Sequence, residues 1–292
     1  MHADELAIDA SLVETLLAEQ FPQFADRTLR PVRSTGTVNA IYRLGDDLCV
    51  RLPRLARWAT DLEREWQWLP RLAGRTTLEI PSPVLLGSPT DRFPCAWTIL
   101  RWIEGEPYAD HRVAGGAAAA RAGHDLARFV TELRRVDLAE APPAGRRPLR
   151  ELDVETRSAI TAGAGVIDAD AALQAWGRAL EAPGWDGVRV WIHGDLLRPN
   201  LLVRDGRLSA VIDFGGAGVG DPAMDVIAAW SVFGPSGRRR FRETLAVDDG
   251  TWERARGVAL HQAAMIVPYY RDSNPAFVAS AVRTIEQILG AT

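Results

Sequence analysis

The stretch that decides the fold runs Val190-Trp191-Ile192-His193-Gly194-Asp195-Leu196-Leu197-Arg198-Pro199-Asn200-Leu201-Leu202-Val203, continues at Ala210-Val211-Ile212-Asp213-Phe214-Gly215, and closes on Gly220-Asp221-Pro222. Two β-rich runs, 201–204 and 207–212, flank Asp205-Gly206. That dipeptide suits a two-residue type I′ hairpin, because both turn residues must accept positive φ. With Arg204 facing Arg207 across the turn, Asn200 falls opposite Val211, and Asp213 lies two residues further along the same strand. Side chains alternate with period two, so Asn200 and Asp213 are expected on one face as diagonal neighbours, roughly 7–8 Å apart at the backbone. Asp195 follows a predicted strand over 189–192 and precedes Asn200 by five residues. A short loop then carries it to the rim of the same site.

A carboxylate and an amide converging on one divalent ion, with a further carboxylate beside them, is a set of groups suited to moving a phosphoryl group from a nucleotide to a hydroxyl. That reaction asks the protein to position the donor, neutralise its charge and orient the acceptor oxygen. Hard oxygen ligands suit Mg²⁺ far better than zinc or copper. Each piece alone is an ordinary turn or loop. Their order is informative: Asp195 and Asn200 keep the D-x-x-x-x-N spacing of kinase catalytic loops, and Asp213-Phe214-Gly215 follows one hairpin later.

With these motifs the chain resembles the aminoglycoside phosphotransferase (APH) family and its macrolide phosphotransferase and choline kinase relatives, over nearly its whole length. The resemblance implies a protein-kinase-like α+β fold of two lobes. The smaller, residues 1–102, would carry an antiparallel sheet and clamp the nucleotide, and the larger, residues 103–292, would be mostly helical and hold the acceptor. It also implies that Asp195 is the catalytic base and that Asn200 and Asp213 are the Mg²⁺ ligands. His193 becomes a packing and hydrogen-bonding residue, and Asp225 braces the catalytic loop from below. Asp221 is read as a helix cap, with Pro222 in the first turn where a missing amide is tolerated.

Upstream, Arg43 to Leu52 reads as two strands around a Gly45-Asp46-Asp47 turn, and an amphipathic helix is predicted over 59–72. By the same resemblance Arg51 grips the nucleotide phosphates and pairs with a helix glutamate, Glu65 in preference to Glu63. The chain has no lysine, so all 34 of its basic side chains are arginine. Arginine can hold phosphate bidentately but does not imitate a lysine point charge. Ser34-Thr35-Gly36-Thr37 is the expected phosphate-covering loop, with a single glycine between hydroxyls. A strand over 96–100 leads into a hinge where the carbonyl of Arg101 and the amide of Ile103 are expected to meet the nucleotide base, with ATP and GTP both open.

The composition fits a globular enzyme: 47% of the 292 residues are hydrophobic and the net charge is −4. A nucleic-acid footprint would need a basic excess, so no such partner is expected. The two cysteines, Cys49 and Cys95, neither build a disulfide framework nor show zinc spacing. No apolar run reaches the roughly 20 residues that span a bilayer, and the acidic start Met1-His2-Ala3-Asp4-Glu5 lacks a signal-peptide charge pattern. A cytoplasmic monomer or homodimer without membrane contact is expected. Helices are predicted over 115–136, 252–269 and 275–289, and Arg238-Arg239-Arg240 is read as a solvated turn. Trp230, Glu253, Tyr269, Tyr270 and Asp272 are the candidates to line the acceptor site. The resulting expectation is an ATP- or GTP-dependent O-phosphotransferase acting on an aminoglycoside-like or other antibiotic. A metabolic kinase for a choline-like, sugar or homoserine hydroxyl, and a catalytically silent nucleotide-binding module, are the alternatives.

Overall fold

The computed structural model describes residues 5–32 and 38–290. The expected phosphate-covering residues Ser34, Thr35, Gly36 and Thr37 lie outside the described residues. The chain divides into two compact units: Met1–Gly105 with Ala210–Gly215, and Glu106–Ser209 with Gly216–Thr292. The sequence reading had a single cut after residue 102; in the structure a six-residue return segment, 210–215, joins the first unit.

The first unit is built on five antiparallel strands: β1 (Leu29–Pro31), β2 (Asn39–Leu44), β3 (Leu48–Pro53), β4 (Pro83–Gly87) and β5 (Trp97–Arg101), in the order β1-β2-β3-β5-β4. Strands β2 and β3 pair from Asn39↔Pro53 to Leu44↔Leu48 around the expected turn. Burial alternates along β2, the mark of a strand with one face on a core. β3, paired on both edges, is buried throughout. Leu48, Val50 and Leu52 join Trp97 and Ile99 in a core closed by Val13, Leu16 and Leu17 of helix α1 (Ala10–Gln20). Period two therefore turns Cys49 and Arg51 to the opposite face, where helix α2 (Ala59–Leu72) supplies Glu65 to Arg51. The return segment is tied in by Val211 N–H, which donates to the Glu79 carbonyl at 2.9 Å.

The second unit is mostly helical. After the two-residue strand β6 (Glu106–Pro107) come helices α3 (Gly116–Arg134), α4 (Asp153–Ala162) and α5 (Ala169–Leu180), then strand β7 (Val190–Ile192). The hairpin of β8 (Leu201–Arg204) and β9 (Arg207–Val211) follows, with β6 beside β8, and β10 (Gly218–Gly220) pairs antiparallel with β7. Asp205 and Gly206 both have positive φ, 52° and 72°, as the type I′ turn requires. Two short helices, α6 (Ala223–Val226) and α7 (Ala228–Ser231), lead to α8 (Pro235–Leu245), α9 (Asp249–Tyr270) and α10 (Pro275–Leu289).

Arg238-Arg239-Arg240 is not a turn but the middle of α8. Pro235 stands in its first turn, arginine is a good helix former, and Gly237 and Phe241 are the buried i, i+4 pair that faces inward. The close crossing of α8 on α3 explains the two glycines there. A Cβ on Gly123 would lie 2.3 Å from the Gly237 carbonyl oxygen, so only glycine fits. Among the described residues, no helix is long and apolar enough to cross a membrane.

Candidate active site

The charged cluster of the first unit is centred on Arg51, only 8% exposed. Its Nη1 donates to Glu65 Oε2 at 2.6 Å, and its Nη2 lies 3.7 Å from Asp213 Oδ1. Glu65 occupies a buried position of α2 in line with Leu62, Leu69 and Leu72, whereas Glu63 is exposed. Its other oxygen accepts the Phe214 N–H at 2.6 Å, so one buried carboxylate holds both the arginine and the backbone next to Asp213. Burial works against the Arg51 charge, but Glu65 and then Asp213 outweigh it and hold the guanidinium firmly protonated. Asp61, in the first turn of α2, is raised above the ordinary carboxylate range by burial, with Arg64 opposing and Asp213 adding to it.

Asp213 departs from the strand reading. β9 ends at Val211, Asp213 has φ 70°, and Asn200 lies in a short 3₁₀ turn ahead of β8. A left-handed residue reverses the chain, so the period-two argument that joined Asn200 to Asp213 does not extend to either residue. The Asp213 side chain is 39% exposed. At the expected hinge, Arg101 closes β5 with its guanidinium on Asp47 at 3.1 Å, and Ile103 is buried. Trp102 packs under Arg43, 4.3 Å from guanidinium carbon to ring centre.

The second unit carries the loop expected to be catalytic, 193–200. Asp225 is fully buried in α6, and its two oxygens accept the N–H groups of His193 at 3.0 Å and Gly194 at 2.8 Å. Burial pushes the Asp225 carboxyl up, while His193, the two amides and Arg134 favour its charge. His193, also buried, turns Nδ1 to the Asp195 N–H at 3.3 Å. Asp221 accepts from Ala223 N–H at 2.9 Å and from Arg254 Nε and Nη2, each at 3.1 Å. The loop is thus fixed at its base by the buried Asp225, while Asp221 ties the start of α6 to α9.

The Asp195 carboxylate is held at each oxygen. Asn200 Nδ2 donates to Oδ2 at 2.9 Å and also to the Asp195 carbonyl at 3.0 Å. Gln262 Nε2, from α9, donates to Oδ1 at 2.9 Å. Both Asn200 bonds use the amide nitrogen, which leaves its oxygen as the atom suited to a hard cation. Sequence reasoning missed Gln262. It lies 67 residues from its partner, and the only signal is a polar side chain in a largely buried helix.

Gln262 also lines a small solvent-open pocket, together with Leu197 and Pro199 of the loop, Ile266, Phe277 and Ser280. None of the five expected acceptor residues is among those lining it. Trp230 is buried with its ring centre 4.7 Å from that of Trp252, and Glu253 lies 3.7 Å from Arg256. Tyr269 is 61% exposed and packs on Tyr270, and Asp272 is exposed.

The Asp213 carboxylate and the Asn200 amide oxygen are each a hard oxygen donor of the kind Mg²⁺ takes. Among the described residues no cluster of three or more His, Cys, Asp or Glu forms a metal cage.

A sheet unit with a buried Arg–Glu pair, followed by a helical unit with a braced Asp-x-x-x-x-Asn loop, defines the class of kinase-like phosphotransferases. The model of the phosphotransferase enzyme family (APH) matches residues 28–258. The chain belongs to this family, and it is a phosphotransferase. An aminoglycoside 3'-phosphotransferase of Escherichia coli is 26% identical over 233 residues, covering 72% of this chain and 80% of that one. Among solved structures, the GDP and kanamycin complex of APH(2'')-IIia superposes with a TM-score of 0.75 at 20% identity, over 96% of this chain and 99% of that one. Macrolide 2'-phosphotransferase MphH from Brachybacterium faecium gives 0.63 at 20% identity, over 95% and 97%. The two-lobed, protein-kinase-like fold is shared with both.

Proposed function

We propose that the chain transfers the γ-phosphoryl group of ATP or GTP, in a Mg²⁺-dependent reaction, to a hydroxyl of an antibiotic-like small molecule. The observation that carries this reading is the Asp195 carboxylate, fixed between Asn200 and Gln262 on a loop braced by Asp225, next to an open pocket. The acceptor oxygen attacks the γ-phosphorus, its proton passes to Asp195, and the bond to the β-phosphate oxygen breaks to release the nucleoside diphosphate. Asp213 and the Asn200 amide oxygen would hold the divalent ion. When bound, that ion neutralises charge on the phosphate oxygens. Arg51, locked by Glu65, supplies a fixed positive charge for the same phosphates. His193 orients the loop through its Nδ1 and takes no proton from the acceptor.

The antibiotic acceptor is inferred from the relatives named above, whose names specify aminoglycosides and macrolides. Diphosphate release by the purified protein with ATP or GTP and Mg²⁺ tests it, using kanamycin, a macrolide, choline and homoserine as acceptors. Release stimulated by an antibiotic is the expected result. Stimulation by choline or homoserine alone would make it a metabolic kinase, and nucleotide binding without any release would make it a silent module.

A further inference from the structure

Within the first unit, the chain leaving β5 is pinned by the turn between β2 and β3. Trp102 N–H donates to the Asp47 carbonyl at 2.9 Å, which continues the β3–β5 ladder one step beyond Leu48↔Arg101. The Asp47 carboxylate takes Arg101 Nη1 on one oxygen at 3.1 Å and Arg27 Nη1 on the other. Arg43, in β2, lays its guanidinium 4.3 Å from the centre of the Trp102 ring. Its Nη2 donates to Glu104 Oε1 at 2.7 Å and to the Asp46 carbonyl at 2.5 Å. Arg101, Trp102 and Glu104 are therefore each tied to residues 43–47. The turn is itself anchored at Gly45, with φ 63°, whose N–H donates to the Thr28 carbonyl at 2.8 Å.

These ties fix a direction. In an extended ladder, successive residues turn their N–H and C=O groups to opposite edges. Trp102 turns its N–H to Asp47, and Arg101 N–H goes the other way, to the Ser82 carbonyl at 2.9 Å. The same alternation sends the Arg101 carbonyl and the Ile103 N–H to one edge, away from the turn. They are the two groups expected to meet the nucleotide base. An exposed ion pair alone contributes little. Arg43 differs, because its side chain is only 24% exposed and combines a ring stack, an ion pair and a bond to the backbone. A segment held in place beforehand removes an ordering cost from binding. We propose that Arg43 and Asp47 are positioning residues for nucleotide binding, holding 101–104 so that the Arg101 carbonyl and the Ile103 N–H stay presented to the base. The proposal rests on the nucleotide-dependent reading above and takes 101–103 as the base-contacting segment.

Titration calorimetry of the full chain with Mg²⁺ and ADP or GDP, whichever the parent binds more tightly, reads the effect. Arg43→Met keeps an apolar stem against Trp102 but loses the charged fork, and should weaken the diphosphate by about fivefold. Asp47→Ala, at a half-exposed position, should weaken it by about threefold. Arg92→Met removes an exposed arginine paired with Glu19, ahead of the opposite end of β5, and should leave affinity within about twofold. Inorganic pyrophosphate separates positioning from general loosening, because it lacks a base. Its affinity should stay within about twofold in both positioning variants. Unchanged diphosphate affinity in the folded variants would overturn the proposal, as would pyrophosphate weakened as much as the diphosphate. Should Arg43→Met fail to fold, Asp47→Ala carries the same test. A parent that binds neither diphosphate would instead defeat the phosphotransferase reading.

Discussion

Removing the Glu65 carboxylate is the perturbation whose cost the structure defines best. Glu65 and Arg51 are 3% and 10% exposed in their side chains, 2.6 Å apart, and Glu65 also accepts the Phe214 N–H. Glu65→Ala leaves a desolvated guanidinium whose one remaining ion-pair partner among the described residues is Asp213, 3.7 Å away, and an amide without its acceptor. Breaking a buried ion pair from one side costs about 3–5 kcal/mol. The lost amide bond to a charged acceptor, about 1.5–3 kcal/mol taken alone, overlaps with this figure and is not simply added to it. Arg51→Met should cost a similar amount, because it strands the carboxylate. Replacing both, as Arg51→Met with Glu65→Leu, removes the uncompensated charge and should return the stability to within about 2 kcal/mol of the parent. Phosphoryl transfer should nevertheless be lost, since the phosphate-directed charge is gone. Urea unfolding of the parent, Glu65→Ala, the Arg51→Met and Glu65→Leu singles and their double variant, read through tryptophan fluorescence, measures this cycle. A Glu65→Ala loss below about 1 kcal/mol, or a double variant as unstable as the sum of the singles, would refute the reasoning.

Asp225→Asn offers one acceptor where two amides need one each, so it should destabilise the protein by about 2–4 kcal/mol and lower turnover, measured by thermal melting and diphosphate release. His261 is buried against Thr156, and burial, then Arg146, lowers it to about 4 against an unfolded value of 6.5. The unfolded chain takes up the proton first, so stability should fall as pH drops from 6.5 to about 4, by up to about 3 kcal/mol, and stay level in this respect above 6.5. Urea midpoints of the parent and His261→Gln across pH 4–7 check this; equal pH slopes in the two would contradict it. Chelating Mg²⁺ with EDTA should reduce phosphoryl transfer at least about 100-fold while leaving the melting temperature of the nucleotide-free protein unchanged, because no protein-only metal cage exists among the described residues.

Local pattern made much of this legible in the chain. The β2–β3 hairpin follows from alternation around Gly45-Asp46-Asp47, and α2 from its apolar spacing, with Glu65 standing out as an acid in the buried stripe. Asp205-Gly206 announced its turn because two consecutive positive φ values admit few residue pairs. What escaped depends on tertiary geometry. The left-handed backbone at Asp213 is a local reversal that alternation has no means to register. Gln262 meets Asp195 only because α9 packs beside the Asp195 loop, and the pocket next to it is assembled from segments far apart in sequence. The run Arg238-Arg239-Arg240 of α8 read as solvated because its charge masked the buried Gly237 and Phe241 on either side.

Asp195→Asn tests the central claim most directly. The amide keeps the size of the side chain and can still bond to Asn200 and Gln262 after reorientation, but it is not a base. Acceptor-dependent turnover should fall by about 10²–10⁴ while the nucleotide dissociation constant stays within about threefold of the parent. Turnover undiminished in this variant would contradict the account.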